Sequence, residues 1–286
     1  MTVRLHRILW LGLWLVNACA PAGLHAALTP EKLYQKVLPS VMRLEVESQS
    51  GEKFIGSAVL ALADDVVLTA WHVVADARPV CAVFADGQRM TVIGCIDYDG
   101  GRDLALLKLE KRLPHRRAAF GRELPAVAAH AYVIGSPKGY DFSITDGLIS
   151  QIRSVKGFLQ YQLSCPISPG NSGSPVFNQR GEVIGIASWT KAGAQHLSFA
   201  IPALDFIRLN VFEPPTTWAQ LAASSRPAPR TSWMESLHSN DEALEGKTDE
   251  RSFAAFKKQL SDSAGKSVTV VLQEEERTNT FTFTVK

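Results

Sequence analysis

Ser172 stands in Pro169-Gly170-Asn171-Ser172-Gly173-Ser174-Pro175, where flanking glycines let the backbone turn sharply and present N–H groups beside a hydroxyl. A serine alcohol is a poor nucleophile at neutral pH. Acyl transfer through it requires a base for its proton, a group that orients the base, and donors for the oxyanion that forms. His72 ends the apolar run Val66-Val67-Leu68-Thr69-Ala70-Trp71, which places an imidazole at a strand end facing a cleft. Asp103 opens Asp103-Leu104-Ala105-Leu106-Leu107-Lys108-Leu109, a single acid at the mouth of an apolar strand. A carboxylate in that position needs partners. The His72 ring N–H is the first expected partner and the Ser188 hydroxyl the second, while the amides of Gly170 and Ser172 are the expected oxyanion donors. Singly these signals are ordinary, since a Gly-x-Ser-Gly serine usually marks a turn and a histidine in an apolar run usually belongs to a core. The order histidine, acid, serine, each at the end or corner of a strand, points to one constellation.

The elements that must position these residues are short. Thr29-Pro30-Glu31 reads as a helix start, with Thr29 as cap and Pro30 in the first turn, leading towards Val37. Met42, Leu44 and Val46 then alternate with charged residues, the two-residue period of a half-buried strand. Apolar runs follow at Phe54 to Leu62, Val66 to Thr69, Val80 to Phe84, Met90 to Ile96, Leu104 to Leu109, Ala131 to Ile134, Phe158 to Leu163 and Val183 to Ser188. Gly, Asp, Pro and Asn punctuate them, and many short strands with little helix between them imply a sandwich or barrel. A break near Pro114 to Glu123 divides the pattern into two halves. After Val211 the composition shifts to Ala, Ser and Pro, which reads as a linker over 211–232. Phe253, Phe256 and Leu260 then share a helical face, and Ser267 to Gln273 with Phe281, Phe283 and Val285 read as a hairpin, so that 233–286 forms a small α+β segment.

The chain's 30 Lys+Arg against 28 Asp+Glu create no field that would select nucleic acid as a partner. Arg4 and Arg7 precede the apolar stretch from Ile8 to Ala20, too short for the roughly 20 residues of a membrane span and followed by small residues. Residues 1–26 therefore read as a signal peptide and 27–210 as the first folded domain, exported to the periplasm or secreted. A second reading takes Val16-Asn17-Ala18-Cys19 as a lipoprotein box, in which case Cys19 carries a lipid and the protein meets a membrane. Cys81, Cys95 and Cys165 remain in the mature chain. Cys81 and Cys95 lie on the arms of a hairpin about Asp86-Gly87, and a bridge between them requires their α-carbons within about 7 Å. No cysteine–histidine cluster has zinc spacing. The chemistry above needs neither metal nor cofactor.

Three segments, Thr69-Ala70-Trp71-His72-Val73-Val74, Asp103-Leu104-Ala105-Leu106-Leu107 and Pro169 to Pro175, resemble the triad motifs of HtrA/Deg-type trypsin-like serine proteases. Ile134-Gly135-Ser136-Pro137-Lys138-Gly139 with Thr145 to Ser150, and Phe199-Ala200-Ile201-Pro202, extend the similarity over about Glu31 to Pro202. The resemblance implies an all-β fold of two six-stranded antiparallel barrels, preceded by a short helix, with the site between them. It further implies a periplasmic setting, unfolded or damaged proteins as substrates and assembly as a homo-oligomer. Ser174 departs from the family's usual glycine. Leu244-Glu245-Gly246-Lys247, the helix near Phe253 and the hairpin are similar to only the second half of a PDZ domain. Ile186-Ala187-Ser188-Trp189 resembles the strand that pairs with substrate, making Ser188 and Trp189 expected substrate contacts. No acid occurs in Cys165-Pro166-Ile167-Ser168, so small or medium apolar side chains are expected in the primary pocket in preference to Lys or Arg. The competing reading is a chaperone or regulatory binding module whose site is latent.

Overall fold

The computed structural model describes residues 27–114, 116–121, 123–137, 140, 142–155, 158–190 and 197–224, together with the backbone of 267–274 and 277–284. For 155, 189 and 190 it describes the backbone alone. Residues 1–26, read above as a signal peptide and including Cys19, the stretch 253–260 read as a helix and Leu244 to Lys247 lie outside the described residues.

Helix α1 (Pro30–Val37) starts where the sequence indicates, with the Thr29 hydroxyl accepting from the Lys32 N–H and Pro30 in the first turn. It is amphipathic and buries Leu33 and Val37. Strands β1 (Val41–Ser48), β2 (Lys53–Leu60), β3 (Val66–Thr69), β4 (Ala77–Phe84), β5 (Arg89–Asp99) and β6 (Leu104–Leu109) close an antiparallel barrel in the order β1-β2-β3-β6-β5-β4. The second half contains β7 (Ala119–Phe120), β8 (His130–Gly135), β9 (Ser143–Val155), β10 (Phe158–Leu163), β11 (Pro175–Phe177), β12 (Glu182–Thr190) and β13 (Ser198–Pro202). Its order is β11-β8-β9-β10-β13-β12, closed into a second six-stranded barrel by the β11–β12 pairing, and β7 adds in parallel to β12. Both barrels and the short N-terminal helix follow the expected architecture.

The continuous apolar runs have a physical cause. On β3, Val67 faces the first barrel's interior while Val66 and Leu68 face a cluster shared with the second barrel. On β6, Ala105, Leu107 and Leu109 point inward while Leu104 and Leu106 join the shared cluster. Successive side chains point to opposite faces, so a strand apolar on both faces is one pressed between two cores. Tyr132 and Ile134 of β8, Val183 and Ile186 of β12 and Leu33 and Val37 of α1 complete the shared cluster. The barrels therefore share a buried apolar interface, with strand ends along its rim.

Two expectations need revision, and the open question of a Cys81–Cys95 bridge is answered. His72 lies not on a strand end but in a one-turn helix, α2 (Trp71–Val74), directly after β3 and Ala70. Cys81 faces Thr91 across the β4–β5 pairing, four positions from Cys95 along β5, a separation on the order of 13 Å at strand rise, so the two thiols are free. The stretch read as a linker is partly structured. Thr216 bridges to Cys95, Thr217 caps helix α3 (Trp218–Ala223), and Trp218 is buried in the first barrel's cluster with its indole N–H on the Val92 carbonyl at 2.7 Å. At the C-terminal end, β14 (Ser267–Glu274) and β15 (Arg277–Thr284) form the expected antiparallel hairpin.

Candidate active site

The β3–β6 register places Thr69 opposite Ala105, which brings the residues just beyond the two strands, Ala70 to His72 and Asp103, together. The Trp71 N–H donates to the Asp103 carbonyl at 3.1 Å, and the His72 N–H donates to Asp103 Oδ1 at 2.8 Å. These bonds hold the α2 turn onto the acid. The second carboxylate oxygen, Oδ2, lies 2.8 Å from His72 Nδ1 and also accepts the Ser188 hydroxyl from β12. Asp103 is buried, with φ at +60°, a left-handed conformation that aspartate tolerates better than most residues. A carboxylate with all its partners as donors requires the ring proton on Nδ1. The imidazole's other nitrogen, Nε2, is then an acceptor.

Ser172 sits on the connection between β10 and β11. The Asn171 N–H returns to the Ser168 carbonyl at 2.9 Å, and Gly170 has φ at +98° behind Pro169, the signature of a type II turn. The Ser174 N–H closes onto the Asn171 carbonyl at 2.9 Å, and the Gly173 N–H reaches the Ala187 carbonyl on β12 at 2.7 Å. Gly173 has φ at +85°, and a Cβ there would stand 2.1 Å from the Ser57 carbonyl oxygen and 2.2 Å from Thr69 Oγ1. Only glycine lets the turn lie this close to the first barrel. The Gly170 and Ser172 amides have no acceptor among the described residues. The Ser172 hydroxyl donates to the Ser188 carbonyl at 3.2 Å. Ser188 thus touches Asp103 through its side chain and Ser172 through its backbone, and joins the acid, the imidazole and the alcohol at the junction of the two barrels.

Residues 56–186 match the trypsin-like peptidase domain family. The barrel pair is similar to HtrA/Deg-like, trypsin-like serine protease domains. The chain is 35% identical over 179 residues to a protein named "Probable periplasmic serine endoprotease DegP-like" from Pseudomonas fluorescens, covering 60% of this chain and 37% of that relative. It is 38% identical over 181 residues to the protein of the same name from Ectopseudomonas mendocina, with the same coverage. The chain therefore spans little more than a third of the length of these curated relatives. Among solved structures, the HtrA-type protease AlgW with a tripeptide aligns at 27% identity with a TM-score of 0.57, over 62% of each chain. An active-form protease from M. tuberculosis aligns at 21% identity with a TM-score of 0.60, over 67% of this chain and 90% of that one, a likeness of fold.

Of the residues singled out in the sequence, the two barrels bring His72, Asp103, Ser172, Ser188 and Gly170 together. Trp189 pairs with Phe199 in the β12–β13 register, and its side chain lies outside the described residues. Cys165 is buried, with Sγ 3.4 Å from the Ala131 carbonyl, and burial pushes its thiol up to about 12. It is chemically quiet at neutral pH. Ser57 and Thr69 escaped the sequence reading, although both are fully buried and hydrogen-bonded to each other behind the Ser172 turn. Their signal was a hydroxyl within an otherwise apolar strand run.

Proposed function

We propose that the chain is an exported serine endopeptidase that hydrolyses peptide bonds in unfolded or damaged proteins, in the periplasm or outside the cell. The observation that carries the reading is the connected set His72, Asp103, Ser188 and Ser172, with the His72 Nδ1 on Asp103 at 2.8 Å. Asp103 fixes the Nδ1–H tautomer, which leaves His72 Nε2 to take the proton of the Ser172 alcohol as general base and return it to the leaving amine as general acid. Ser172 attacks the scissile carbonyl and forms an acyl-enzyme, and the Gly170 and Ser172 amides receive the oxyanion. Water then releases the acyl group by the same proton transfers in reverse. No metal or cofactor enters these steps. A protein or peptide substrate pairs with β12 at Ser188 and Trp189, and the primary pocket takes small or medium apolar side chains. Assembly into a homo-oligomer, and membrane attachment through Cys19 should it be lipidated, belong to the same proposal.

The test is turnover of denatured casein by the exported protein and by Ser172→Ala. The substitution is expected to cost on the order of 10⁶ in kcat, because the members of such a set act as a unit. Equal rates for the two proteins would refute the assignment. A second reading, a binding module with a resting site, draws on the Ser172 hydroxyl donating to the Ser188 carbonyl at 3.2 Å. That reading predicts stable binding of unfolded chains with no turnover in the wild type.

A further inference from the structure

We propose that Ser57, a residue of the first barrel, is the positioning residue that holds the Gly170 amide at its working orientation in the second; the proposal rests on the reading of Ser172 as nucleophile. Ser57 lies in β2 and is fully buried. Its hydroxyl has two partners whose roles admit one arrangement. The Gly170 carbonyl, at 2.8 Å, can only accept, and the Ser136 N–H, at 3.1 Å, can only donate. The Ser57 proton therefore points at Gly170. The same residue's N–H donates to the Ser172 carbonyl at 2.8 Å, and its carbonyl accepts the Thr69 hydroxyl at 2.7 Å. One side chain with its own peptide groups thus grips the turn at both residues whose amides serve as oxyanion donors, and also ties in the end of β8 at Ser136.

The grip matters because Gly170 is the softest point of the turn. It has no Cβ and sits at φ +98°. The peptide joining it to Asn171 is pinned on both edges, its carbonyl by Ser57 Oγ and its N–H by the Ser168 carbonyl at 2.9 Å. With that plane fixed, the direction of the Gly170 N–H is set by the glycine's own two torsions, φ and ψ. Without the hydroxyl, one edge is free and a buried carbonyl has lost its partner, so the glycine's ψ relaxes to find another. An oxyanion donor is effective because it needs no reorganisation at the moment of reaction. A deleted donor costs roughly two to three orders of magnitude in kcat, and a loosened one should forfeit about tenfold. The ground-state carbonyl is not what the donors are built for, so KM should stay put.

The experiment uses the full exported protein and its Ser57→Ala and Ser57→Cys variants, with active sites titrated by a fluorophosphonate. Cysteine keeps the side chain's shape with a weak donor, so it carries the test if the alanine variant does not fold. The expected result is about a tenfold fall in kcat per titrated site, KM within about twofold, and affinity for a matching peptide boronate, which fills the oxyanion position, reduced about tenfold. An unchanged kcat per site in a folded variant overturns the proposal. So does a loss that appears only as fewer titratable sites, which is the mark of a purely structural residue. If the wild type itself neither labels nor turns over, the assignment of Ser172 fails instead, and that measurement comes before any variant is made.

Discussion

Replacing Asp103 by Asn is a nearly isosteric change with a large expected consequence. The carboxylate accepts three hydrogen bonds: the His72 N–H on Oδ1 at 2.8 Å, the ring nitrogen on Oδ2 at 2.8 Å, and the Ser188 hydroxyl, also on Oδ2. Asparagine keeps one acceptor and turns the other oxygen into an NH₂ group. If its oxygen faced the ring, the NH₂ would oppose the His72 N–H, two buried donors without an acceptor, at about 1–3 kcal/mol. If its oxygen stays on the His72 N–H, the NH₂ donates to the ring nitrogen and to the Ser188 oxygen, and only the Ser188 O–H gives up its acceptor. The second arrangement wins by that margin, and the ring answers by moving its proton to Nε2. A ring protonated there cannot take the Ser172 proton, and the loss of kcat should be on the order of 10⁴, about 5 kcal/mol of barrier. Because only the Ser188 O–H loses its acceptor, the thermal midpoint should fall by no more than a few degrees. The assay is cleavage of a fluorogenic peptide by folded Asp103→Asn against wild type at pH 7 to 8. Folded variant with kcat within about tenfold of wild type would refute the claim that Asp103 sets the tautomer.

Gly173→Ala should destabilise the domain by about 2–5 kcal/mol, the sum of a left-handed backbone and a side chain forced against the Ser57 carbonyl, read from the urea midpoint. Trp218→Ala should cost about 3–5 kcal/mol in the same measurement, since the indole fills the first barrel's cluster and donates to Val92; a cost below about 1 kcal/mol would mean that α3 is not part of the folded domain. The Arg89 guanidinium, helped by Arg43, holds the Glu45 carboxyl below its ordinary 4.5. A folded value depressed below the unfolded one contributes stability above 4.5 that is lost as pH falls through the folded value, so Glu45→Gln should be less stable than wild type at pH 7 and converge with it on acidification. This pair is partly exposed, so screening limits the gap to about 1 kcal/mol, shrinking further in salt.

The sequence exposed the chemistry better than the elements that carry it. Val66 to Thr69 and Leu104 to Leu109 were readable to the residue because both faces of each strand are buried, leaving an unbroken apolar run between punctuating residues. The longest strand, β9 from Ser143 to Val155, was absent from the list of apolar runs because it is rich in Ser, Thr, Asp, Gln and Arg, with Ile149 fully buried among them. Barrel closure, not hydrophobicity, extends it. Trp71-His72-Val73-Val74 looks like strand by residue type, and two backbone and side-chain bonds to Asp103 turn it into a helical turn, a case of tertiary contacts overriding propensity. Ala, Ser and Pro after Val211 disguised α3, although Thr217 and Gln220 form a capping box that announces a helix start. Ser57 was hidden for a different reason: its role depends on a partner 113 positions away, and only the closed barrels bring Gly170 to it.

The most direct measurement on the central claim is the site of covalent modification. The protein, treated with a fluorophosphonate at neutral pH, digested and mapped by mass, should carry a single adduct on the Ser172 hydroxyl, abolished in Ser172→Ala and sharply slowed in His72→Ala. A folded protein that remains unmodified, or an adduct on another residue, would contradict the account.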